Sequence, residues 1–94
     1  MVQSHSLFSL GRIVATPGAL EALQDAHQEP QKFLCRHARG DWGDLTEEDR
    51  KENDFSVCRS LRLLSAYHLS TGVTLWIITE ADHSATTLLL PAEY

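Results

Sequence analysis

Residues 61–90 read LRLLSAYHLSTGVTLWIITEADHSATTLLL, and their spacing decides the fold. Leu61, Leu63, Ser65, Tyr67 and Leu69 alternate onto one face, which is the period of a strand. Ser70-Thr71-Gly72 supplies a short turn. VTLWIITE (73–80) is rich in the β-branched and aromatic side chains that suit a pleated, half-buried surface. Ala81-Asp82-His83-Ser84 is a second turn, ATTLLL (85–90) is a third strand, and Pro91 ends pairing. Two short connections between three strands predict an antiparallel meander. Trp76, Ile77 and Ile78, like Leu88, Leu89 and Leu90, send apolar side chains to both faces. Such a sheet needs cover.

The cover has to come from the N-terminal half. Thr16-Pro17 is a helix start, because Thr caps free N–H groups and Pro fits the first helical position. Ala19, Leu20, Ala22, Leu23 and Ala26 follow with helical spacing, and Pro30 predicts an end near His27 or Gln28. Pro30 opens a second helix that carries Phe33, Leu34, Cys35, His37 and Ala38 and stops at Gly40. Thr46-Glu47-Glu48-Asp49 resembles a capping box with Asp in its last position, so a third, mostly exposed helix is predicted over about 46–54. A short strand is expected around 8–15. The expected fold is α+β in a single domain, residues 1–94. An N-terminal short strand and two to three short helices pack on the C-terminal three-stranded meander. The helices would cover one sheet face and the N-terminal segment the other, with strand 85–90 as an open edge.

Charge is concentrated in one place. The chain has 94 residues, 13 Asp and Glu, 8 Lys and Arg, and a net charge of −5. Residues 41–54, DWGDLTEEDRKEND, hold seven of the acids (Asp41, Asp44, Glu47, Glu48, Asp49, Glu52, Asp54) against Arg50 and Lys51. The remaining residues therefore balance at six acids and six bases. A field of that kind selects partners more than it shapes the fold. The longest basic run is the dipeptide Arg50-Lys51, so direct nucleic-acid binding is not expected. No apolar run is long enough to span a membrane. The N-terminus, MVQSHSLFSLGRIVAT, lacks a basic start and a long apolar stretch, so a cytoplasmic location is expected. There Cys35 and Cys58 are expected as free thiols.

The chemistry-bearing residues form no established catalytic pattern. Asp41, Asp44 and Glu48 could converge on a divalent cation, but the calcium-loop spacing is missing and a solvated helical face is the plainer reading. On that helix Glu48 and Glu52 share a face, and Glu47 and Lys51 are spaced as an i,i+4 pair. Cys35-Arg36-His37 with Cys58 is half of a zinc set at most. Asp82-His83-Ser84 holds the letters of a triad, but neighbours in one turn cannot adopt triad geometry with one another. There is no P-loop, dinucleotide fingerprint or nucleophile elbow. No cofactor is expected.

Several strings together carry a resemblance. They are Leu10-Gly11, VATPGALEAL (14–23), GDWGDLTEEDRKEND (40–54), LSAY (64–67) and ITEADHSATTLLLPAEY (78–94). The chain resembles a family of small uncharacterised bacterial proteins of plasmids and integrative elements. The resemblance covers most of the chain and carries over no catalytic residues. It implies a mobile-element origin, and small acidic proteins of such elements include inhibitors of host defence, anti-restriction and anti-CRISPR proteins among them.

The expected function is that of a non-enzymatic, protein-binding accessory protein. Asp41, Trp42, Asp44, Glu47, Glu48 and Glu52 would face a basic surface on a host or element-encoded protein. Trp42 has a second reading. One large ring in a polar loop is usually an anchor onto the core. The alternatives are a homodimeric regulator or assembly factor joined through the sheet, and a small metal-dependent hydrolase.

Overall fold

A computed structural model of the chain describes residues 6–59 and 61–94, apart from the Cys58 side chain. The element order is β1 (Arg12–Ala15), α1 (Pro17–Asp25), α2 (Pro30–Ala38), α3 (Glu47–Arg59), β2 (Leu63–His68), β3 (Thr74–Thr79) and β4 (Ala85–Leu89), then one 3-10 turn at Pro91–Glu93. The fold is α+β. Expectations that involve the Cys58 side chain, its pairing with Cys35 included, lie outside the described residues.

The meander forms as its spacing predicts. Ser65 pairs with Ile77, and Ile77 with Leu88, in antiparallel register. The open edge does not form where it was expected. The sheet has four strands in the order β1-β4-β3-β2, so β4 is interior and the edges are β1 and β2. β1 joins β4 in parallel, with Arg12 opposite Ala85 and Ala15 opposite Leu88. Three helices and two strands separate these partners in sequence. Nothing local signals a pairing over that distance.

Both N-terminal helices start at the expected prolines, Pro17 and Pro30; α1 ends at Asp25, two residues before the expected His27, and α2 ends at Ala38, just before Gly40. The Thr16 hydroxyl accepts the Ala19 N–H at 3.1 Å. Gly40 takes φ 85°, which lets Asp41 N–H reach back to the Arg36 carbonyl at 2.9 Å and close α2. Ala19, Ala22 and Leu23 of α1 and Phe33 and Leu34 of α2 pack on Tyr67, Leu75, Ile77 and Leu88 of the sheet. The N-terminal segment lies on this same side, not on the opposite face. Leu7 N–H donates to the Ala38 carbonyl of α2 at 2.8 Å, and Phe8 stacks on Trp42.

α3 runs five residues further than expected, to Arg59. It lies along the outer edge of β2. Asn53 acts there as a substitute strand: its amide donates to the Leu64 carbonyl at 2.6 Å and its oxygen accepts the Leu64 N–H at 3.3 Å. Two residues on, Ala66 N–H donates to the Trp42 carbonyl and the Ala66 carbonyl accepts from Asp44 N–H. The β2 edge is thus covered, as an exposed strand edge must be to avoid pairing with other chains. On the face away from α1 and α2, α3 and the C-terminal turn give partial cover. No described helix is long and apolar enough to cross a membrane.

Candidate functional site

The loop 40–46 and α3 divide the acidic segment into two sets of carboxylates. The first set is committed to the fold. Asp41 takes the Arg36 guanidinium at 2.7 and 3.3 Å, and that ion pair holds its carboxyl below the usual carboxylate range. The Asp41 carbonyl also accepts from the Tyr67 hydroxyl at 2.5 Å. Asp44 meets His68 Nδ1 at 2.7 Å. Asp54 accepts the indole N–H of Trp42 at 3.0 Å.

Trp42, counted above among the partner-facing residues, has no surface to offer. It is 1% exposed, between Phe8, His37 and Leu63. The ring is an anchor. Gly43 makes this approach possible. At φ 77° it bridges to Ala66, where an added Cβ would collide with the Ala66 carbonyl. Arg50 closes the loop by donating to the Gly43 carbonyl at 2.6 Å.

The second set is Glu47, Glu48, Asp49 and Glu52. All four are exposed on α3, and none lies within ion-pair distance of a cation among the described residues. The Glu47–Lys51 pair that the spacing allows does not form. Thr46 does cap the helix, accepting Asp49 N–H at 3.2 Å. The acids in the first turn are favourable to the positive end of the helix.

Below α3 the uncovered part of the second sheet face forms a groove of about 340 Å³. Half-buried Leu45, Leu64 and Trp76 make its apolar surface over buried Ile78, and the exposed Asp49 and Glu52 line it as well. Arg62 and Tyr94 form the far wall. The Arg62 guanidinium lies over the Tyr94 ring at 5.2 Å and donates to the Tyr94 hydroxyl at 2.7 Å. Glu80 is 3.9 Å from it. Trp76 meets the Tyr94 ring edge-on at 5.8 Å. Sequence reasoning reached Glu52 and missed Asp49 and the groove. The signal was the apolar content on both sheet faces.

A second polar constellation lies wholly inside. His37 is 0% exposed and its ring bridges Ser65 Oγ at 2.5 Å and Thr79 Oγ1 at 2.9 Å. Thr79 meets Thr86 at 2.7 Å, and Thr86 donates to the Leu10 carbonyl at 2.7 Å. For a neutral ring, one proton arrangement satisfies the chain. Thr86 spends its hydrogen on Leu10, so Thr79 donates to Thr86 and accepts from His37 Nε2–H. Nδ1 is then bare and accepts from Ser65. Burial with no counter-charge pushes its pKa down to about 4, which keeps the ring neutral at pH 7. A Ser–His contact can activate a nucleophile. Here both side chains are fully buried and every hydrogen is already used. The constellation ties α2, three strands and the N-terminal segment together.

His83 packs against Phe8 at 5.4 Å, and its Nε2 is buried without a hydrogen-bond partner. Asp82-His83-Ser84 is a hairpin turn, with Ser84 N–H on the Asp82 carboxylate at 3.0 Å. Among the described residues no three His, Cys, Asp or Glu side chains converge as a metal-ligand set. No protein-family model, no curated protein and no solved structure matches the chain.

Proposed function

We propose that this chain is a non-enzymatic binding module that docks a basic protein surface through α3. The observation that carries the reading is the division of labour among the acids. Asp41, Asp44 and Asp54 are occupied within the fold, while Glu47, Glu48, Asp49 and Glu52 stand exposed on one helix with no ion-pair partner among the described residues. Concentrated like charge at a surface speeds encounter with an oppositely charged partner and rejects like-charged ones. Asp41, Asp44 and Trp42 act by holding the loop that presents α3. The narrower reading is an accessory protein of a mobile element that inhibits a host defence system. It rests on the sequence resemblance and on the fit between an acidic helix and a groove built for nucleic acid.

Affinity capture from a bacterial lysate tests the proposal, with wild type set beside Glu47→Lys/Glu48→Lys/Glu52→Lys. Wild type retains a basic protein that the reversed variant loses, and retention weakens as salt rises. Identical capture by both proteins contradicts the reading.

A homodimer is the second reading, and its edge moves from β4 to β1. Ile13 and Val14 on that edge strand are 45% and 42% exposed. Sedimentation across the micromolar range decides it: a strict monomer excludes the dimer.

A further inference from the structure

We infer that the groove below α3 takes an apolar side chain from a partner polypeptide whose flanking residues are Lys or Arg. This rests on the binding-module reading and names the surface that grips. Three features of the groove converge on such an occupant.

The first is shape. At about 340 Å³ the groove is within the range of sites that enclose a ligand, roughly 300–1,000 Å³. The second is the chemistry of its surface. Leu64 and Trp76, both half-buried, project from β2 and β3 onto one sheet face beside half-buried Leu45, over a floor formed by buried Ile78. This surface gains by excluding water.

The third feature is charge. Asp49 and Glu52 are three residues apart on α3, which places them on one side of the helix at the rim. Neither has a cation within ion-pair distance among the described residues. Arg62 does not compensate them. Its guanidinium is engaged by the Tyr94 ring and hydroxyl and faces Glu80.

An apolar segment without charge would leave two carboxylates crowded against it. A cationic segment without apolar residues would leave the Trp76 face wet. A segment that carries both satisfies both. A long Lys or Arg chain can lie along the apolar wall and still put its charge at the rim. The rim acids then speed encounter, while the aromatic surface holds the complex.

The test uses three blocked nonapeptides and the full chain, followed by NMR. The parent peptide is built from Lys, Arg, Leu and Phe. In one control Ser replaces Leu and Phe, and in the other Gln replaces Lys and Arg. The parent is expected to move the Trp76 indole N–H and the amides of residues 49–53. Each control should bind about tenfold more weakly or worse, a difference of about 1.4 kcal/mol. Trp76→Ala and Glu52→Lys should each weaken the parent peptide comparably. Leu45→Trp fills the groove mouth and serves if Trp76→Ala does not fold.

The failures are separable. If the Ser peptide binds as well as the parent and Trp76→Ala changes nothing, the acidic docking face stands and the groove inference falls. Undiminished binding of the Gln peptide also overturns it, since the groove would then be a general apolar site. If sedimentation shows that a second copy fills the groove, the inference is wrong. If none of the peptides moves any resonance, the groove inference falls, while the binding-module reading is decided by the affinity capture.

Discussion

Trp42 and His37 carry the argument at the level of single residues. Trp42 sits in the acidic segment and His37 in α2, and both are almost fully buried. Trp42→Ala removes a ring packed between Phe8 and His37 and strands the Asp54 carboxylate that held its N–H. Large aromatic truncations in cores cost about 3–5 kcal/mol. Chemical denaturation of the variant should show a loss of that size, and a loss under about 1 kcal/mol would mean that the ring anchors nothing. His37 gives the fold an acid limit. Above the ordinary value of 6.5 the ring is neutral in both the folded and unfolded chain, and stability is insensitive to it. Below 6.5 the unfolded chain takes up a proton that the folded chain refuses until about pH 4. Acid therefore favours unfolding across that window, by up to about 3 kcal/mol. Urea unfolding followed from pH 7 to 4.5 should show stability falling, while an NMR titration finds the His37 ring still neutral at pH 5. A ring that titrates near 6.5 in the folded protein would refute the closed network.

Among the elements, α3 shows where sequence and structure part. Helix α1, helix α2 and the three meander strands announced themselves through local signals: Thr16-Pro17, Pro30, Gly40 and the alternation through 63–69. Those signals report the backbone's own preferences and need no distant partner. The second half of α3 gave no such signal, because among its described side chains the buried ones are Asn53 and Ser56, with Val57 half-buried. Apolar periodicity cannot detect a helix held through polar groups. β1 was expected as a short strand around 8–15, but its parallel pairing with β4 was not, since four residues pairing across most of the chain leave no local trace of their partner. The candidate site was half legible. Charge counting found the carboxylates, but it could not separate the paired acids from the free ones, which requires knowing that Arg36 and His68 lie opposite Asp41 and Asp44. Asn53→Ala tests how α3 is held. It leaves the Leu64 N–H and carbonyl without partners, at a cost of about 1–3 kcal/mol. Hydrogen exchange in α3 should rise more than in β3. Equal rises in both would show that α3 is not secured through that contact.

For the whole molecule, a net charge of −5 sits on a fold whose remaining residues are balanced. On the proposed function, the α3 acids that have no ion-pair partner among the described residues serve a partner and not the fold. Carboxylates kept for a partner are dispensable to the isolated chain, apart from the modest benefit of acids at a helix start, about 0.3–1 kcal/mol each. Removing them also relieves the repulsion between Glu48 and Glu52. The most direct measurement is the melting temperature of Glu47→Gln/Glu48→Gln/Glu52→Gln, recorded beside wild type and Trp42→Ala. In a domain this small, ~1 kcal/mol moves the melt by about 4–8 °C. The triple variant should therefore stay within roughly 8 °C of wild type, while Trp42→Ala falls by more than about 12 °C. A triple variant that melts as low as Trp42→Ala would contradict the account, because those carboxylates would then be holding the fold together.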